Sequence, residues 1–239
     1  MQLRVATWNV LAQAWLGFGD YSHVEPSLLE KTARYERVVQ TLMNLPPADI
    51  IGLQEVEPEL LVHLVEKLSG FYQIVWSKKT DDDPDGCALL LNTGLGLPSV
   101  ETRSYADGTG CVAQLTVVAG VPLINTHMKW APADSTDHVG VRQMSRILKW
   151  IGGLSRAIIL ADCNDRAGGP VRALANSAGF VNVYGDTPTA RVGLELPALD
   201  LLAVRGLNAQ PVYTGIKPDN IPSEKCPSDH LPMMAEIEV

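Results

Sequence analysis

The chain has 239 residues, 46% of them hydrophobic and 19% charged, with a formal net charge of −8. This composition suits one large domain or two small ones with a full core, and excludes disordered and fibrous classes. The acidic balance argues against a protein that grips long nucleic acid through its phosphates, which leaves carboxylates whose charge a bound metal offsets, or a substrate that is small or only the end of a strand.

The N-terminus, MQLRVATWNV, carries an arginine within an alternating pattern and lacks the continuous apolar stretch of a signal peptide. No apolar run approaches membrane-spanning length. Cys87, Cys111, Cys163 and Cys226 are scattered without a Cys-x-x-Cys spacing. Neither a thiolate metal site nor a disulfide framework is expected, and a cytoplasmic setting is.

LRVATWNV (3–10) alternates and reads as a strand. From 27 to 45, Leu28, Tyr35, Val38, Leu42 and Leu45 recur at helical spacing until Pro46–Pro47 stops the helix. DIIGLQE (49–55) is a buried strand, and Leu60, Leu61, Leu64, Val65 and Leu68 form a helix face ending at Gly70. Strand-like runs follow at 72–76, 87–92, 112–118 and 121–127. A helix is predicted over 136–151, closed by Gly152–Gly153, then a strand at 157–162 and a short helix at 171–179. The last strands are 198–204 and 231–239. Strands outnumber helices, and β-α-β order mixes with consecutive strands. A single α/β domain over 1–239 is expected, with mixed sheets covered by helices. The Pro/Gly-rich stretches near 185–198 and 217–228 read as long surface loops, a class that often carries function.

The polar residues fall at strand ends. Apolar strands end at Asn9, at Glu55, at His127, and at Asp162 with Asn164 just beyond. Two later segments do the reverse, with Asp200 opening one strand and Asp229–His230 preceding the other. If those two strands run antiparallel to the others, all six sites converge on one sheet edge. Carboxylates with amide oxygens suit Mg²⁺ or Mn²⁺, with Glu55 and Asp229 as candidate ligands. A histidine oriented by an aspartate is a general base or a clamp on a phosphoryl oxygen. Any one of these residues alone reads as a solvated turn; the ordered set is what carries weight.

DDDPDG (81–86) resembles the start of a calcium loop, but Asn92 stands at its twelfth position and a strand follows, so it reads as an acidic loop. Lys129, Arg34, Arg37 and Arg142 are candidates for substrate phosphates. Lys129 is favoured by its two-residue spacing from His127, and Arg34 and Arg37 are expected on a solvated helix face. Trp15 and Trp130 are read either as base-stacking groups or as core.

The stretches TWNVLAQ (7–13), LQEV (53–56), NTHMKW (125–130), LADCND (160–165), ALDLLAV (198–204) and PSDHLPMMAEI (227–237), in that order, resemble the endonuclease/exonuclease/phosphatase superfamily of DNase I-like fold. DGCALLLN (85–92), YSHVEPSLLEKTARYERV (21–38) and the histidine of NTHMKW resemble its deadenylase-like branch, which includes nocturnin and the Angel proteins. The resemblance implies a four-layer α-β-β-α sandwich of two mixed sheets packed face to face. It implies Glu55 as a Mg²⁺ ligand with Asn9 beside it, and Asp229 binding or positioning metal. Asp162 would orient or deprotonate the attacking water, and Asn164 would hold the scissile phosphate. His230 would contact the phosphate and assist proton transfer, oriented by Asp200, while His127 stabilises the phosphoryl oxygens. The chain departs from the family at Ala161 and Cys163, where Gly and Phe are usual, and at Leu201–Leu202, where an aromatic and isoleucine are usual.

The expected activity is Mg²⁺-dependent hydrolysis of a phosphoester at an RNA 3′ end or in a nucleotide, by a monomer with no membrane partner. The alternatives are a small-molecule or phospholipid phosphatase or diesterase with the same site, and a binding module that has lost catalysis. The intact set of motif residues ranks the binding module last.

Overall fold

The computed structural model describes residues 1–80 and 82–239. Twelve strands form among them. They are β1 (Gln2–Asn9), β2 (Ile50–Val56), β3 (Tyr72–Lys78), β4 (Gly86–Asn92), β5 (Val100–Ser104) and β6 (Val112–Val118). Then come β7 (Val121–His127), β8 (Ala157–Asp162), β9 (Val181–Asn182), β10 (Asp200–Arg205), β11 (Asn208–Pro211) and β12 (Met233–Glu238). The α-helices are α1 (Lys31–Asn44), α2 (Pro58–Leu68), α3 (Val139–Ile151) and α4 (Pro170–Ser177). None is long and apolar enough to cross a membrane.

The strands make two six-stranded mixed sheets, in the orders β11-β12-β1-β2-β4-β3 and β5-β6-β7-β8-β10-β9. Three apolar clusters show the layering. Tyr35, Val38, Val39 and Leu42 of α1 and Leu60, Leu64 and Leu68 of α2 cover the outer face of the first sheet. Met144, Ile147 and Ile151 of α3 with Val171 and Ala175 of α4 cover the second. Leu3, Val5, Ile50, Leu89, Leu123, Ile158, Leu202 and Met233 fill the space between the sheets. This is the expected α-β-β-α sandwich. β1 lies parallel to β2, and β7 parallel to β8. β10 and β12 run antiparallel to β8 and β1, so their starts lie at the edge where the others end.

The inter-sheet layer is not wholly apolar. Gln54 Nε2 donates to Thr7 Oγ1 at 3.0 Å and to Asn125 Oδ1 at 2.7 Å. Asn125 Nδ2 donates to Gln114 Oε1 at 2.9 Å and to the carbonyls of Leu53 and Ala88. Gln114 reaches Ser77 Oγ at 3.0 Å. This buried ladder ties the sheets with directional bonds. It also explains Gly52, where an added Cβ would stand 2.6 Å from the Asn125 amide oxygen. Because Asn125 is fixed by its bonds, Gly52→Ala is expected to cost about 1–3 kcal/mol, read as a lower denaturant midpoint at unchanged m-value.

Differences from the sequence expectations sit at element ends and edges. The helix expected from 27 begins at Lys31, after a separate 3₁₀ turn at Pro26–Leu28. The helix expected from 136 begins at Val139. β5, β9 and β11 were not expected. Each is an outermost strand of its sheet and none of its residues is buried, so it lacks the apolar alternation that marks a strand in sequence. Of the calcium-loop-like stretch, Asp81 lies outside the described residues. Residues 82–85 form the loop leading into β4, and within it Asp85 is fully buried.

Candidate active site

The register of the second sheet sets three polar residues in one row. His127 stands opposite Asp162, and Asp162 opposite Asp200. The first sheet supplies Asn9 at the end of β1 and Glu55 near the end of β2. Glu55 has φ +60°, and the β2–β4 pairing shifts register between Leu53 and Val56. Leu53 and Val56 both face the α1–α2 core, although strict alternation would put residues three apart on opposite faces. The bulge absorbs the extra residue and turns the Glu55 carboxylate to the sheet edge. Asn164 (φ +49°) and Leu11 (φ +59°) are also left-handed, a conformation that non-glycine residues hold only where the surroundings enforce it.

The two sheets meet at Asp162. Asn9 Nδ2 donates to Asp162 Oδ2 at 2.8 Å and to Glu55 Oε1 at 3.0 Å. The Asn9 amide oxygen accepts from Leu11 N at 2.9 Å, which fixes the amide's direction. Asn9 therefore turns nitrogen, not a ligand oxygen, toward the carboxylates, and orients both of them. The same Asp162 Oδ2 lies 3.8 Å from His127 Nε2 and 3.7 Å from His230 Nε2. His230 Nδ1 donates to Asp200 at 3.0 Å and 3.1 Å. The loop before β12 is pinned to β1, because Ser228 Oγ donates to Asn9 O at 2.7 Å and Trp8 Nε1 donates to His230 O at 2.8 Å. Thr189 Oγ1 supports Asp200 by accepting from its N–H at 3.2 Å.

The two histidines are driven in opposite directions. Burial favours neutral His230, but Asp200 and Asp162 outweigh it and hold the ring protonated well above its ordinary range. Burial and the cation of Lys79 push His127 well below that range. Its Nδ1 lies 3.4 Å from Lys79 Nζ and its Nε2 2.9 Å from Asn164 Nδ2, so a charged ring would face donors on both sides. Asp162 is pushed up to about 6 by burial, against the pull of His230. Glu55 is pushed up to about 7 by burial, with Asp85 and Asp229 adding repulsion.

The donor set fits a hard divalent cation. Glu55, His127 and Asp162 offer ligand atoms within 4.8 Å of one another, as do Asp162, Asp200 and His230. Asp229 stands outside both groups. Its Oδ2 accepts from Tyr21 OH at 2.8 Å, while its Oδ1 is buried with no partner. An orphaned carboxylate oxygen and a glutamate destabilised by like charge are the marks of a site that gains from a cation.

A profile of the endonuclease/exonuclease/phosphatase family matches residues 6–230. The chain belongs to that family. Among solved structures, it is similar to ANGEL2, a 2′,3′-cyclic phosphatase, at 16% identity and a TM-score of 0.80, covering 99% of this chain and 95% of that one. The human Nocturnin catalytic domain is 21% identical with a TM-score of 0.70, covering 99% and 94%. An endonuclease/exonuclease/phosphatase protein from Bacteroides vulgatus is 18% identical with a TM-score of 0.75, covering 100% and 99%. No curated protein matches the chain in sequence. Members of the endonuclease/exonuclease/phosphatase family are metal-dependent hydrolases of phosphoesters, and this chain is one of those enzymes.

Several residues at the site were not singled out by the sequence. Lys79 and Asp85 form a buried ion pair at 2.7 Å beside His127. Both sit in the charged run KKTDDDPDG, which looks solvated; only the abrupt entry of Asp85 into an apolar strand hints at burial. Lys129 is exposed, as a substrate contact requires, and its charge contributes to depressing His127. Arg142 is instead paired with Asp137. Trp130 is 64% exposed and is not core. Asn164 Nδ2 also donates to Met128 O at 2.8 Å.

Arg34 overturns the expectation of a solvated helix face, for it is 0% exposed. Its Nη1 donates to Val10 O at 3.0 Å and Pro227 O at 3.4 Å, and its Nε to Gln13 Oε1 at 3.1 Å. It thereby joins the loop after Asn9 to the loop carrying Asp229 and His230. Arg34→Met is expected to destabilise the fold by about 1–3 kcal/mol, measured by denaturant titration, because buried carbonyls lose their donor. Arg34→Lys should recover only part of this, since one ammonium cannot replace the fork.

Proposed function

We propose that the chain is a Mg²⁺-dependent phosphoester hydrolase acting on an RNA 3′ end or a nucleotide by direct attack of water. One observation carries the reading: a single oxygen of Asp162 is held by Asn9 and faces the Nε2 atoms of two histidines of opposite charge preference, just beyond hydrogen-bond reach of each. Pairs of titratable groups pushed apart by their surroundings divide into acid and base.

In this scheme the Asp162 carboxylate takes a proton from the attacking water. The resulting hydroxide forms the new P–O bond as the leaving oxygen departs, and that oxygen receives the proton of His230 Nε2. Asp200 holds the His230 ring in line and balances its charge. Neutral His127, Asn164 and Lys129 face the phosphoryl oxygens. Glu55 and Asp229 would hold Mg²⁺, which would supply positive charge against the negative charge that builds up on the phosphoryl oxygens. Asn9 orients Glu55 and Asp162 in common.

The net charge of −8 supports a substrate contacted at its end rather than along its length. The likeness to ANGEL2, a 2′,3′-cyclic phosphatase, supports the same choice. The four cysteines are free and buried, which supports a reduced, cytoplasmic setting; we assign a monomer.

The test uses two 5′-labelled RNAs with Mg²⁺, one ending in oligo(A) and one in a 2′,3′-cyclic phosphate, with His230→Ala as control. A ladder from the 3′ end marks an exonuclease, and a mobility shift at full length marks an end phosphatase. If neither RNA changes while free nucleotides are also untouched, the proposal fails.

A further inference from the structure

The candidate site is linked to an aromatic pair through a chain of buried polar contacts. His127 Nδ1 lies 3.4 Å from Lys79 Nζ, Lys79 pairs with Asp85 at 2.7 Å, and Asp85 Oδ1 accepts from Trp15 Nε1 at 3.2 Å. The Trp15 ring meets Phe18 edge-on, with centroids 5.7 Å apart and planes at 60°. Phe18 is 84% exposed, so its ring contributes little to the core. Both residues lie in the 3₁₀ segment Gln13–Phe18, directly after the loop that follows Asn9 and donates Ala12 N–H to Glu55 at 2.8 Å.

A single exposed phenylalanine is ordinary on a protein surface. This one is held edge-on by an indole whose own N–H is fixed to a buried carboxylate, one ion pair away from a catalytic imidazole. The segment is tethered to the candidate site on both flanks, by Ala12 N–H on Glu55 and by Tyr21 OH on Asp229 at 2.8 Å, and between those tethers it presents an exposed, preoriented π-face. An exposed aromatic face next to a phosphate site suits a nucleobase, whose stacking is tolerant of sequence.

We infer that Trp15 and Phe18 form a stacking subsite for the nucleobase attached to the reacting phosphate. The inference rests on the phosphoester reading of the site and narrows its substrate class to base-bearing phosphates. Phe18 would make the stack, and Trp15 would position it.

The test is a binding measurement, and so does not depend on turnover. Dissociation constants of AMP and of inorganic phosphate are measured with Mg²⁺ by calorimetry, and their ratio gives the preference for a base. The wild-type chain is expected to prefer AMP. Phe18→Ala is expected to reduce that preference roughly 5- to 100-fold, the range spanned by loss of one base–aromatic stack. Phe18→Trp is expected to restore it, and Phe18→Leu, apolar but without a π-face, is not. The exposure of Phe18 makes each variant compatible with folding. A wild-type ratio near one, an unchanged ratio in Phe18→Ala, or full preference in Phe18→Leu overturns the inference. If AMP binds as expected but neither RNA ends nor nucleotides are hydrolysed, the subsite stands and the hydrolytic reading is what fails.

Discussion

Replacing His230 with alanine is expected to lower kcat by roughly 10²- to 10⁴-fold, the usual worth of a positioned general acid. The effect should fall on kcat, because His230 is assigned a proton transfer that occurs only in the transition state. His230 is also buried against Asp200, which the alanine would leave without its partner. A loss of about 1–3 kcal/mol in stability is therefore expected alongside. His230→Asn separates the two effects, since its amide can still donate to Asp200 but cannot act as an acid. Asp200→Asn combined with His230→Ala should be little worse in kcat than His230→Ala alone, because Asp200 acts through the ring. A His230→Asn enzyme with full turnover on its substrate would falsify the acid assignment.

Chelation of the metal is expected to abolish turnover, and Glu55→Gln to raise the Mg²⁺ dissociation constant more than about 100-fold, since even outer-shell partners of a metal are worth 10- to 100-fold. The pH dependence has a definite sign. The Glu55 carboxyl is pushed up from 4.5 to about 7 by burial and by Asp85, so below neutrality the metal-free protein still holds this proton. Binding must release it, and Mg²⁺ affinity should fall by up to tenfold per pH unit below about 7. Folding shows the opposite trend. A carboxyl raised in the folded state favours folding while protonated, so the metal-free protein should lose stability as pH climbs from 4.5 through about 7. Added Mg²⁺ should recover that loss at the alkaline end. Thermal scans from pH 5 to 8, with Mg²⁺ and with EDTA, read both effects; a Tm that does not respond to Mg²⁺ at any pH would count against Glu55 as a ligand.

The sequence was most informative where chemistry and strand geometry coincide. An apolar run closing on Asn9, Glu55, His127 or Asp162 carries both a strand and its exit, and Asp200 opening one strand with His230 preceding another made convergence conditional on two reversed strands. It was least informative where burial contradicts residue type. Arg34 looks like any helix-surface arginine until the loops bearing Asn9 and Asp229 are seen to cover it. Lys79 and Asp85 vanish into a charged run because their pairing is tertiary. Glu55 reads as the plain end of a strand, while its orientation depends on a bulge whose only trace is the three-residue spacing of Leu53 and Val56. The edge strands β5, β9 and β11 are written in residues with little apolar alternation, since sheet edges gain little from burying a face.

The candidate site lies across a seam. Asn9 and Glu55 belong to one sheet, and His127, Asp162 and Asp200 to the other. The interdigitated apolar side chains between the sheets resist separation and sliding alike, but no single contact among them fixes a direction. The Gln54–Asn125–Gln114 ladder adds that, since each bond has one good alignment. It acts as a dowel between two plates, and the machining tolerance of the catalytic gap is set there, one layer below the chemistry.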